Sequence, residues 1–126
     1  MNWQNIKTKY PKAFEKLTAW YWGDMDFELL ENGTLYFEQV FDGGKSYATS
    51  TLSFKDVVRG RKLYDFFDEQ GIYGRVGKNQ FMMFTWDLIT DPEINICEFS
   101  DYDYNIRTEA EEALFLREFE ILEEKL

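Results

Sequence analysis

Histidine is missing from this 126-residue chain, cysteine occurs once, and Lys and Arg together number 14 against 24 Asp and Glu. Without histidine the chain lacks the side chain most used for proton transfer and metal binding near neutral pH. Ser and Cys nucleophiles lose their usual base with it. The single Cys97 excludes an intramolecular disulfide, and its place in Ile94-Asn-Ile-Cys-Glu-Phe99 reads as a small buried hydrophobe in a reducing cytosol. No run approaches about 18 consecutive apolar residues, and Met1-Asn-Trp-Gln-Asn-Ile-Lys7 has no apolar signal-peptide core. The expectation is a cytoplasmic protein with no membrane partner. No tract rich in Pro, Gly or Ser and no internal repeat marks a linker.

What is present fits a packed fold. Hydrophobic residues make up 44% of the chain and aromatics 19%, against a net charge of -10, which is a globular rather than a disordered composition. A chain of this size buries roughly two-thirds of its extended surface, so a single domain over 1–126 with an aromatic-rich core is expected.

Pro11 suits the first turn of a helix, and Phe14, Leu17 and Tyr21 recur at helical spacing until Gly23-Asp24, which predicts a helix over 11–22. Met25 to Leu29 alternates with period two, Asn32-Gly33 is the preferred type I′ turn pair, and Thr34 to Phe41 returns as a second strand. A two-residue loop sets Leu29 opposite Tyr36 and Glu28 opposite Phe37, so both sheet faces carry apolar groups and the second face needs a cover. Asp42-Gly-Gly leads into a strand over 46–53. Ser53 and Asp56 resemble a capping box opening a helix over 55–69, packed through Val57, Leu63, Phe66 and Phe67 and closed by Gly71. Strands are predicted at 72–76, 80–89 and 94–100, with turns at 77–79 and 90–93. The last helix opens at Thr108 with Glu111 as a second capping box and runs close to Leu126. The predicted fold is α+β, an antiparallel sheet of about six strands with three helices, in the order α-β-β-β-α-β-β-β-α.

Asp101, Asp103, Asn105, Glu109 and Glu112 occupy positions 1, 3, 5, 9 and 12 of a calcium-loop register and are the candidate metal ligands. Position six is Ile106, where the sharp turn needs glycine, and the entering element reads as a strand, so the expectation is no metal and no other cofactor. The alternative account is a polar connection whose Glu residues favour a helix N-terminus. Gly71 to Asn79 contains a Gly-Lys pair, but Ile72 and Asn79 stand where a Walker loop needs Gly and Ser or Thr. Arg59, Arg61 and Lys62 form the one dense basic cluster, too small to bind nucleic acid directly against ten excess negatives, and are expected to pair with neighbouring acids. Asp24, Asp26, Glu28, Asp101 and Asp103 could converge as paired carboxylates, the form a hydrolase would take here.

The last helix carries two apolar stripes at about 100° per residue, Ala110, Leu114 and Ile121 on one and Phe115, Phe119, Leu122 and Leu126 on the other. A surface helix needs one, so the second stripe is either core or a partner-binding surface, and a homodimer through it is the expectation.

Three segments, Met1-Asn-Trp…Tyr10-Pro-Lys-Ala-Phe14, Leu63-Tyr-Asp-Phe-Phe-Asp-Glu-Gln-Gly-Ile72 and Arg107-Thr-Glu-Ala-Glu-Glu-Ala113…Phe119-Glu-Ile-Leu-Glu-Glu-Lys-Leu126, resemble those of small acidic proteins carried by phages and mobile elements of gut bacteria. The resemblance covers about a third of the chain. It implies a bacterial cytoplasm and an accessory role. With no catalytic residue assigned, the expected function is a non-enzymatic, acidic protein-interaction module, in its specific form a nucleic-acid mimic that blocks a basic groove. A carboxylate- or metal-dependent hydrolase is the alternative.

Overall fold

The computed structural model describes residues 2–22, 27–29, 34–40, 47–53 and 61–126, with side chains at 2–21 and 61–126. The class is α+β with antiparallel sheets, as expected. The count and the partition differ from expectation. Four helices are described instead of three, and the strands form two three-stranded meanders instead of one sheet of six. One domain over 1–126 is the expectation; the chain divides into two compact units, Met1–Arg59 and Gly60–Leu126. Tight turns pair strands that are neighbours in sequence, whereas joining two meanders needs edge pairing that no local signal encodes.

The first unit opens with the helix that the sequence reading missed, α1 (Trp3–Lys9). Asn2 caps it, its side-chain oxygen accepting from the backbone N–H groups of Gln4 at 3.0 Å and Asn5 at 3.2 Å. Trp3 and Ile6, one turn apart, are its buried residues. The Tyr10 N–H closes the helix on the Ile6 carbonyl at 2.8 Å, and Pro11, with no N–H to satisfy, starts α2 (Pro11–Trp22) where predicted. Ala13, Phe14 and Leu17 are buried along α2, and Tyr21 is half-buried.

The strands β1 (Phe27–Leu29), β2 (Thr34–Val40) and β3 (Tyr47–Ser53) pair in sequence order. Phe27 pairs with Phe37, Glu28 with Tyr36 and Leu29 with Leu35, one residue away from the predicted register. A one-residue slip exchanges the faces. The apolar pairs Phe27 with Phe37, Leu29 with Leu35 and Leu35 with Leu52 now share one parity, and Glu28, Tyr36 and Thr51 the other. The Asn32-Gly33 turn, the stop at Gly23-Asp24 and the capping box at Ser53 and Asp56 with Val57 fall at least partly outside the described residues.

The second unit runs α3 (Arg61–Glu69), β4 (Ile72–Lys78), β5 (Phe84–Thr90), β6 (Cys97–Phe99) and α4 (Arg107–Lys125). Leu63, Phe66 and Phe67 are buried on α3 as predicted, and Gly71 ends it at a φ of +78°, a backbone that glycine adopts without strain. β4 continues to Lys78 instead of turning at Gly77. The reversal comes at Asn79, whose side-chain oxygen accepts from the N–H groups of Phe81 at 2.9 Å and Met83 at 3.1 Å, so the paired ladder extends to Lys78 opposite Phe84. α4 begins at Arg107 behind an Ile106 cap that makes no side-chain hydrogen bond, so the predicted capping box of Thr108 and Glu111 does not form. Glu111 accepts instead from the Tyr64 hydroxyl at 2.9 Å.

The two stripes of α4 have one explanation. The helix rests on β4 and β5 through its first stripe, with Leu114 over Gly74, and meets α3 through its second. Phe67 stands edge-on to Phe119 with ring centres 4.9 Å apart, and Tyr64 meets Phe115 at 5.0 Å. A bidentate ion pair from Arg117 to Glu98, at 2.9 and 2.6 Å, ties α4 to β6 and holds the Glu98 carboxyl below its usual range.

Candidate functional site

Phe115, Phe119 and Leu122 are buried in the second unit under α3, and Leu126 alone of that stripe is 41% exposed. The expected partner-binding stripe is therefore core, and a dimer through this helix loses its ground. The candidate metal ligands are not drawn together. Asp101, Asp103, Asn105, Glu109 and Glu112 are all exposed, Asp103 accepts from the Asn79 amide at 3.3 Å, and among the described residues no three of His, Cys, Asp and Glu are placed to hold a metal ion. Asp24 and Asp26 lie outside the described residues, as do the side chain of Glu28 and residue Arg59, while Arg61 and Lys62 are exposed at the start of α3.

Charge is divided unequally between the units. Residues 60–126 hold sixteen Asp and Glu against seven Lys and Arg, while residues 1–59 hold eight against seven. Because α3 and α4 turn their apolar sides inward, the acids are displayed on the helical layer: Asp65 and Glu69 on α3, Glu109, Glu112, Glu120 and Glu124 on α4 are exposed. At 1.5 Å per residue the α4 row extends about 22 Å. Arg117 pairs with Glu120 of this row at 3.1 Å and lies near enough to Glu124 to feel its charge.

Between α3, α4 and the edge strand β4 lies a cleft of about 340 Å3, lined by Tyr64, Asp68, Gly74, Arg75, Arg107 and Glu111 among others. Burial and the bond to Glu111 hold the Tyr64 phenol well above its ordinary value, and burial with the neighbouring Asp65 raises Asp68. Behind Gly74 sits Glu118, fully buried, with neither carboxylate oxygen hydrogen-bonded. Desolvation, with a smaller push from Asp68, raises its pKa to about 9, so at neutral pH it is a neutral carboxylic acid. Sequence reading missed Glu118. The signal was there, since it falls between the two stripes of α4 on the inward side.

Among the described residues of the second unit, both helices pack on one side of its sheet. Strand parity sends Tyr73, Arg75, Asp87, Ile89, Cys97 and Phe99 outward, and Tyr73 is 43%, Ile89 56% and Phe99 75% exposed. Arg75 Nε bonds both Asp87 oxygens at 2.9 and 3.0 Å, forming the charged centre of this face. Cys97 is exposed, which overturns the expectation of a buried thiol. Its strand places Glu98 inward to meet Arg117, and the alternation sends Cys97 and Phe99 to the open side. In dilute native protein Cys97 should react with a thiol reagent at a rate close to that of the unfolded chain, and a rate slower by several orders of magnitude would place it in a core after all.

Among the described residues, no helix is long and apolar enough to cross a membrane. The chain matches no protein-family model, no curated protein and no solved structure.

Proposed function

We propose that this chain is a non-enzymatic interaction module of a bacterial cytoplasm, whose acidic helical layer binds a basic protein surface. The observation that carries this reading is the charge division: an excess of nine acids in residues 60–126, against one in 1–59, with exposed carboxylates along α3 and α4. Focused negative potential steers a basic partner to that layer and repels acidic ones. In the specific form of the proposal the layer imitates nucleic acid and occupies a groove built for phosphates. The resemblance of its segments to phage and mobile-element proteins supports an accessory role of this kind.

The test is a partner recovered from the native bacterial cytoplasm, with its affinity followed against salt. An electrostatic contact loses affinity steeply as salt rises, and replacing Glu109, Glu112 and Glu124 together by lysine should weaken binding by about 100-fold or more and flatten the salt slope. Equal binding at low and high salt sinks the reading. A partner that binds the module and DNA at the same time sinks the mimicry while leaving the general interaction intact.

A further inference from the structure

We propose that the seam where α3 and α4 meet over β4 binds a small organic cation bearing N–H donors, a guanidinium or primary ammonium group, with Asp68, Glu111 and Glu118 as its acceptors. Tyr64 and Asp68 stand about one turn apart on α3, and Glu111 and Glu118 about two turns apart on one face of α4. The Tyr64 hydroxyl donates to Glu111 at 2.9 Å. No donor among the described residues reaches Glu118, which is fully buried with both carboxylate oxygens unpaired. A buried acceptor without a donor is costly, and a ligand that supplies one removes the cost.

Glu118 stands against the cleft between α3, α4 and β4. A methyl group on Gly74 would lie 3.0 Å from Glu118 Oε1, and both Asp68 and Tyr64 are close enough to interact with its charge. Gly74, Asp68 and Tyr64 all line that cleft, so the carboxyl sits directly behind its wall.

Charge selects the ligand. α3 contributes Arg61, Tyr64, Asp65 and Asp68 to the cleft, α4 contributes Arg107 and Glu111, and β4 contributes Arg75. The positions of β5 that face the helices carry no titratable group. Arg75 is held by Asp87 on the outward side of the sheet, Arg107 lies over the Phe84 ring at 5.4 Å, and Arg61 is exposed at the first turn of α3. Around Glu118 the seam is thus left with acceptors, and an entering anion meets Asp68 and Glu111. A cation with N–H donors is attracted by both carboxylates. Its charge, brought beside Glu118, also offsets the burial that keeps this carboxyl protonated. Glu118 then releases its proton to solvent, and the ligand's positive charge takes the place of the one that leaves.

The experiment is calorimetric titration of the full chain with methylguanidinium chloride at about pH 7 and about pH 8, each in two buffers of different ionisation enthalpy. Methylguanidinium stays charged throughout, so any proton released comes from the protein. The expected result is saturable binding with close to one proton released per ligand, and an affinity that rises about tenfold between the two pH values, because Glu118 titrates at about 9. Tetramethylammonium, with the same charge and no N–H, should not bind. Glu118→Gln keeps the shape of the side chain; it should abolish both the proton release and the pH dependence and weaken binding by about 10-fold or more. Asp68→Asn should weaken binding while the proton release persists. No saturable heat up to about 20 mM ligand, binding without proton release, an affinity indifferent to Glu118→Gln, or equal binding of tetramethylammonium would each overturn the proposal. None of these outcomes bears on the salt dependence of a basic partner.

Discussion

Phe119→Glu should abolish the cooperative folding of the second unit. The ring is fully buried, edge-on to Phe67, on the helix stripe that α3 covers with Phe67 and Tyr64. Truncation to alanine at such a position costs about 3–5 kcal/mol through lost transfer energy and the cavity left behind. Glutamate adds a carboxylate with no partner beside Glu118, which is itself unpaired, so the loss exceeds that of alanine. Since a domain of this size holds only about 5–15 kcal/mol in total, the glutamate variant is expected to lack a urea transition altogether, while Phe119→Ala unfolds at much lower urea than the parent. Leu116→Glu, on the same helix at a position 37% exposed, serves as the control and should unfold with the parent. A Phe119→Glu chain that melts like the parent would mean that α3 does not cover this stripe.

Stability should fall as the solution becomes alkaline, and Glu118 is the cause. Its pKa rises from 4.5 in the unfolded chain to about 9 in the fold, because burial penalises the charged form and Asp68 on α3 adds like charge. Below pH 4.5 the carboxyl is neutral in both states and contributes nothing to the difference. Between 4.5 and about 9 the unfolded chain releases its proton and the folded chain does not, so folding binds a proton and stability declines with a slope approaching 1.4 kcal/mol per pH unit, about that for one proton. Above about 9 the folded carboxyl ionises too and the contribution levels off, with the charge left in the core beside Leu114 and Gly74. Tyr64 and Glu111 face the same cleft from α3 and α4, and Arg75 and Arg107 line it. Glu118→Gln removes the titration while keeping the shape. Urea denaturation of the two proteins from pH 5 to pH 9 should therefore diverge, the variant gaining on the parent by several kcal/mol. Parallel pH profiles would show that Glu118 reaches water or a partner in solution.

What sequence reading recovered and what it missed follow a physical division. The span of α2, the inward residues Leu63, Phe66 and Phe67 of α3, and the glycine stop at Gly71 were legible because each depends on neighbours within four residues. The two stripes of α4 were legible as a pattern. Which body covered the second stripe was not, since α3 lies about 50 residues earlier in the chain and only folding brings Phe67 against Phe119. α1 was missed because its signal is a single cap, Asn2, ahead of a seven-residue helix too short to show a period.

The exposure of Cys97 turned on the same issue in a strand. An apolar run of three to six residues has no preferred side until its neighbours are paired, and the register of Ile89 with Cys97 and Asp87 with Phe99 decides which side chains face α4. Once that register is known, Glu98 is an inward partner for Arg117 and Phe99 an outward knob.

From the sequence alone come the α+β class, the acidic charge, the lack of histidine and the approximate place of most helices and strands, α1 excepted, because composition and local periodicity are properties of the chain before it folds. Tertiary structure alone decided the division into two meanders, the burial of the Phe119 stripe, the neutral state of Glu118 and the exposure of Phe99. Each of these depends on which surface meets which across long separations in sequence, and that pairing is settled by packing and desolvation, not by local preference.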